Sequence, residues 1–344
     1  MNNNGWIRNP AYDLIFFSSI WWIPLGIALL YYHSAFYVVV LLILYHLLIR
    51  IPHFAATLNL TYFLEANRDH YQKHWIRFYV MPIFIFILFS TRRFFDPNHL
   101  YSKSLLSIGV IWAIKHIAFQ NYGISNLYRS RSLAKKDQCL GKLEKLVFLG
   151  LVFLSVYIAM VKTWLSEPVN QSVDFYVRWG LIALIAVLLV TYFFRVFFIN
   201  KTTPTSKPAV LFFLTAISVQ VYWPIYDKIG EGTAVGGNIF FYVINGHHCL
   251  AYLGLIYHMS SNQYKGLSLS DGFKKYYSPI LIGTFLLMGF VSLRWYWSGD
   301  GFSIGYGFKA LSFLDGVFMV HYYLESNTWK FSSSHTRETL LPIL

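Results

Sequence analysis

The stretch that decides the fold is FYVRWGLIALIAVLLVTYFFRVFFI, residues 175–199, in which Arg178 and Arg195 are the only charged side chains. A helix needs roughly 20 predominantly apolar residues to cross about 30 Å of hydrocarbon, and this segment is long enough. Similar apolar runs recur along the chain, separated by short polar connections such as 130–145 and 260–275. This recurrence indicates a bundle of transmembrane α-helices.

The composition favours the same class. Hydrophobic residues make up 56% of the 344 residues, and charged residues make up only 12%. A soluble domain carries about 25% charged residues, so half of the expected solvating charge is missing. We predict an all-α, polytopic membrane protein with about ten spans in a single membrane domain, 1–344. The spans are placed roughly at 14–32, 35–64, 76–90, 104–128, 146–164, 175–199, 209–227, 239–259, 277–297 and 305–325.

The net charge of +13 is explained by the loops. Basic residues of a polytopic chain collect in cytoplasmic loops beside anionic lipid, so the charge favours membrane lipids over nucleic acid as partners. Lys and Arg following the even-numbered runs outnumber those following the odd-numbered runs. This asymmetry predicts an inner or cytoplasmic membrane protein with both termini on the cytoplasmic side.

Ionisable residues inside several apolar runs point to function, because a charge at the bilayer centre costs roughly 2.5 kcal/mol or more. In the second run, His46, Arg50, His53 and Thr57 are spaced to share one helical face. The fourth, eighth and tenth runs also combine histidine with other polar residues. These residues are His116, Gln120, Tyr122, Asn245, His247, His248, Tyr252, Asp315, His321 and Glu325.

Histidines gathered in an apolar environment suggest a metal site, since neutral imidazole is the commonest protein metal ligand. The two cysteines are too few for a thiolate site, which favours non-haem iron, mononuclear or dinuclear, over structural zinc. The predicted ligands are drawn from His53, His116, His247, His248, His321 and Glu325. The predicted catalytic residues are Gln120, Tyr122, Asn245, Tyr252 and Asp315, of which the first four would orient imidazoles.

These histidines can also have a structural role, because an intramembrane histidine can form a hydrogen bond between helices. The adjacent pair His247 and His248 is informative here, since neighbouring helix positions point about 100° apart. One member can bind a metal while the other bridges to a neighbouring helix. His258 lies roughly 16 Å from His247 along the axis, which separates it from that site.

The histidine pattern resembles the histidine-cluster membrane oxygenases, namely the fatty-acid desaturases and hydroxylases and the Brp/Blh carotene dioxygenases. The step Pro52-His53 is similar to the proline–histidine step of the carotene dioxygenases. The HxxHH box of desaturases is absent from this sequence. The resemblance therefore implies imidazole-bound iron in a membrane pocket and transfers no residue assignment.

Three functions remain open on the sequence. The first is a non-haem iron oxidoreductase of oxygenase, desaturase or hydroxylase type, acting on an apolar lipid or isoprenoid with electrons from a cytoplasmic donor. The second is an ion-coupled transporter in which intramembrane His, Arg, Asp and Glu form a relay near the midplane. The third is an electron-transfer protein with haem held by two histidines on different helices.

Overall fold

The computed structural model describes residues 5–33, 45–63, 65–96, 99–131, 138–164, 171–199, 206–229, 234–263, 304–329, 335–336 and 338. Within these ranges all regular structure is helical, which confirms the predicted all-α class. The predicted span 277–297 lies outside the described residues, as does the first part of span 35–64, residues 35–44.

The described ranges contain eleven α-helices. They are α1 Pro10–Phe17, α2 Ser19–His33, α3 Ile51–Leu58, α4 Glu65–Lys73, α5 Met81–Ser90, α6 Leu100–Ser130, α7 Gln138–Trp164, α8 Gln171–Phe194, α9 Lys207–Ile229, α10 Ala234–Gln263 and α11 Ile304–Thr328. Wider π-helical turns occupy His46–Arg50, Asn59–Phe63, Ile76–Val80 and Arg195–Ile199, and a short 3₁₀ turn occupies Arg92–Phe94.

The chain divides into two compact units. The first unit comprises Met1–Leu42 and Val110–Ala251, and the second comprises Ile43–Gly109 and Tyr252–Leu344. Helices α6 and α10 each contribute residues to both units, because the divisions fall inside them. The prediction of a single membrane domain is not tested by this division and stays a prediction.

The first unit is built on apolar contacts among α2, α6, α9 and α10. One buried cluster collects side chains from all four helices: Ile20, Ile27, Ile117, Val219, Val243 and Ile244. Helix α7 packs against α8 and α9. A Cβ at Gly150 of α7 would lie 3.0 Å from Ile185 Cγ1 of α8, so glycine allows this close approach.

The number of spans differs from the sequence prediction of about ten. Among the described residues, two helical segments are long and apolar enough to cross a membrane, Cys139–Val161 and Val173–Ile199. A third appears if Asn67–Lys73 and Ile76–Ser90, which meet at a 96° bend, count as one broken span. Helices α6, α10 and α11 contain 31, 30 and 25 residues, so their lengths suffice. In α6, polar side chains such as Lys115, His116, Gln120 and Asn121 lower the mean hydropathy.

The second unit depends on close packing between α5 and α11. A Cβ at Gly316 of α11 would meet Ser90 Oγ and would lie 2.7 Å from the carbonyl oxygen of Phe86. Only glycine therefore fits this contact without a shift of the backbone. An ion pair between Arg92 and Asp315, 2.7 Å long, lies one residue before this glycine.

We expect Gly316→Ala to lower the free energy of unfolding by about 1–3 kcal/mol, because the added methyl group overpacks the contact with Phe86. Gly109→Ala is the matched control, since its Cβ would meet only Met319 Sδ at 3.6 Å and a Phe89 ring carbon at 3.7 Å. In a helix interior that change should be neutral or stabilise by up to about 1 kcal/mol. Thermal unfolding of the detergent-solubilised protein measures both. Equal melting temperatures for the two variants would contradict the close-packing argument.

Candidate metal centre

His53 is positioned by a helix that a proline distorts. Pro52 has no N–H to donate, and its ring clashes with the carbonyl of the residue four positions earlier. The π-helical turn His46–Arg50 immediately precedes α3, and its wider hydrogen bonding accommodates the proline. His53 follows this irregularity directly and is completely buried. The side chain of His46 lies outside what the structure describes.

Helix α11 supplies an imidazole and a carboxylate from consecutive turns. His321 and Glu325 are four residues apart, so they share one helical face, and both are buried. The distance from His321 Nε2 to Glu325 Oε1 is 3.7 Å. This distance is longer than a direct hydrogen bond.

The rings of α3, α10 and α11 meet around His53. Its ring centroid lies 4.4 Å from that of His321 and 4.7 Å from that of Tyr252, both in edge-to-face geometry. On the apolar side, the Phe54 ring lies 4.7 Å from His321 and 5.0 Å from Phe318. The imidazoles are therefore held in an aromatic environment.

Thr57 joins these helices through one hydroxyl group. Its Oγ1 lies 2.9 Å from His321 Nδ1, 3.1 Å from Glu325 Oε1 and 3.2 Å from the Tyr252 hydroxyl oxygen. Thr57 is buried and stands one turn after His53 on α3. The structure thus places a single hydroxyl within hydrogen-bonding distance of side chains from α10 and α11.

Three side chains of the second unit form a group suited to a cation, which we call the His/Glu group: His53, His321 and Glu325. One ligand atom from each lies within 4.8 Å of the other two. Two ligands that each lie about 2.1 Å from one ion are at most about 4.2 Å apart, so any wider separation would shorten on binding. Two imidazoles and a carboxylate can hold a metal ion.

The two adjacent histidines of α10 have different surroundings. His247 Nδ1 lies 2.9 Å from Ser19 Oγ of α2, so this imidazole bridges two helices of the first unit. The ring of His248 lies 4.9 Å from the ring of His116, also in the first unit. Gln120 donates from Nε2 to the carbonyl oxygen of His248 at 3.1 Å. The metal-binding roles predicted for His116, His247 and His248 stay predictions.

The remaining predicted site residues take separate positions. Tyr122 packs in the first unit against the rings of Phe119 and Phe148. Asn245 is buried on α10. Asp315 forms the ion pair with Arg92 and is not in the His/Glu group. Catalytic roles for these three residues and for Gln120 and Tyr252 stay predictions.

Thr57 is a candidate functional residue that is not among the predicted site residues. The sequence does indicate it, because a spacing of four residues places it on the same helical face as His53. A threonine inside an apolar helix is also an ordinary structural residue, often bonded to a carbonyl one turn earlier. Its contact with the His53 carbonyl oxygen at 3.4 Å is of that kind.

Comparison of the chain with protein-family models, curated proteins and solved structures finds no match. The resemblance to the histidine-cluster membrane oxygenases accordingly stays an expectation from the sequence.

We expect His53→Ala, His321→Ala and Glu325→Ala each to reduce the metal bound by the purified protein, because each removes one ligand of a buried set. The matched control is His258→Ala, which removes a buried imidazole of α10 whose Nε2 lies 3.2 Å from Asn262 Nδ2. Elemental analysis by plasma mass spectrometry after loading with Fe²⁺ measures the stoichiometry. Equal metal content in His258→Ala and His321→Ala would show that the His/Glu group is not the binding site.

Proposed function

We propose that the chain is an integral membrane, metal-dependent oxidoreductase whose ion is bound by the His/Glu group. The observation that carries this proposal is the burial of three ligand-type side chains of the second unit at one place. His53, His321 and Glu325 are at most 3% exposed. Burying a carboxylate among imidazoles is costly, and a divalent cation offsets that cost by accepting their lone pairs.

The donor set favours iron and redox chemistry. Within the second unit alone, His53, His321 and Glu325 supply two imidazoles and one carboxylate. Such a set with open positions is typical of non-haem iron oxygenases. Bound iron would supply dioxygen chemistry, while the protein orients the ligands and keeps water away.

The surroundings favour an apolar substrate. Phe54 and Phe318 form an aromatic wall beside His321. Aromatic and aliphatic surfaces bind hydrocarbon chains and exclude water from the reacting atoms. We infer a lipid or isoprenoid substrate, with electrons supplied by a cytoplasmic donor that docks on the basic loops.

The surface of α8 supports placement in a membrane. Its middle exposes aliphatic side chains and its two ends, including the following π-helical turn, expose aromatic ones. The exposed residues are Tyr176, Trp179, Leu184, Val187, Val190, Phe197 and Phe198. Tyr176 and Phe197 are about 30 Å apart along the axis at about 1.5 Å per residue, which matches the hydrocarbon thickness. Trp and Tyr are enriched at membrane interfaces, and Tyr176 and Trp179 at the first end of α8 match this pattern. We also propose that both termini lie on the cytoplasmic side of the membrane.

We expect Val187→Arg to impair membrane insertion, because an arginine at the middle of a span costs about 2.5–3.5 kcal/mol. Tyr176→Arg is the matched control on the same helix. Both positions are exposed, by 62% and 73%, but residue 176 lies where a long side chain can reach the headgroups. The amount of full-length protein in the membrane fraction measures the difference. Equal amounts for both variants would argue against the proposed span.

The function itself is tested with purified protein loaded with Fe²⁺. We expect bound iron without a Soret band, and dioxygen uptake that depends on both a reductant and an added lipid or isoprenoid. His321→Ala should abolish the uptake, whereas His258→Ala should retain it. A Soret band would favour the haem alternative. Metal-free protein that carries a solute into proteoliposomes in a pH-dependent way would favour the transporter alternative.

A further inference from the structure

The hydrogen bonds around Thr57 determine which nitrogen of His321 carries a proton. A threonine hydroxyl has one hydrogen and two acceptor lone pairs. A carboxylate ligand has no hydrogen to give, so in the 3.1 Å contact with Glu325 Oε1 Thr57 is the donor and uses its only hydrogen. The Tyr252 hydroxyl can in turn donate to Thr57 Oγ1. The 2.9 Å contact with His321 Nδ1 then requires the imidazole to be the donor.

A proton on Nδ1 leaves the lone pair of the neutral His321 ring on Nε2. Nε2 is also the atom that faces Glu325 Oε1 at 3.7 Å. Two ligand atoms that each lie about 2.1 Å from one ion at a tetrahedral angle are about 3.4 Å apart. The separation of Nε2 and Oε1 is therefore close to that of two ligands of one ion.

The same hydroxyl constrains the carboxylate. When Thr57 donates to Glu325 Oε1, it holds the carboxylate against the face of α11 that carries His321. Hydrogen-bond partners of this kind orient metal ligands, and their loss typically lowers metal affinity about 10- to 100-fold.

We propose that Thr57 is a positioning residue that holds His321 as the Nδ1–H tautomer and aims His321 Nε2 and Glu325 at one shared ion. This inference rests on the proposed metal site and adds a residue that acts through the ligands. It predicts that the hydroxyl, and not the volume of the side chain, determines the metal affinity.

The test compares Thr57→Val, which keeps the shape but lacks the hydroxyl, with Thr57→Ser, which keeps the hydroxyl. Full-length protein in detergent is loaded with Co²⁺, and its affinity is measured by competition with a chelator. We expect Thr57→Val to bind Co²⁺ about 10- to 100-fold more weakly and to show shifted d–d absorption bands. Thr57→Ser should retain both the Co²⁺ affinity and the absorption spectrum of the wild type.

The outcomes separate this inference from the proposed function. Wild-type protein that takes up no Co²⁺ would overturn both. Wild-type binding with an unchanged affinity and spectrum in Thr57→Val would overturn the role of Thr57 and leave the metal site standing. Thermal unfolding of the metal-free variants checks that each is folded. If Thr57→Val does not fold, Thr57→Ala removes the same hydroxyl without branching and is judged by the same two readouts.

Discussion

Burial of ionisable groups among apolar helices is the constraint on which the second unit depends. A buried carboxylate or imidazole loses its hydration, and only partners of suitable charge and geometry offset that loss. Thr57 lies within hydrogen-bonding distance of His321, Glu325 and Tyr252, so one hydroxyl ties three helices together. The packing of these helices and the arrangement of the ligand-type atoms consequently depend on the same contacts.

The backbone features around the site serve this arrangement. Pro52 follows a π-helical turn and sets the position from which His53 and Thr57 project. On the other side, Gly316 brings α11 against α5 at a distance that a Cβ would prevent. The site is therefore carried on helices held by close packing rather than on loops, which favours the rigid geometry that a metal ion needs.

Adjacent residues of α10 show how helix geometry separates two roles. His247 bonds to Ser19 in the core of the first unit, whereas the ring of His248 packs against that of His116. Because neighbouring side chains on a helix diverge by about 100°, one imidazole can be structural while the next is a ligand candidate. The same geometry explains why burial alone does not identify ligands, since both histidines are buried.

The sequence by itself determined the all-α class and the ligand-type residues, because apolar runs and polar interruptions are local features of composition and spacing. The pairing of His321 with Glu325 on one face also follows from helical periodicity. Periodicity defines the faces of each helix but not which helices are neighbours. Only the tertiary structure decided that His53, His321 and Glu325 meet, that Asp315 pairs with Arg92, and that Thr57 lies between the ligands. Those contacts join residues far apart in the chain, and packing between helices decides them.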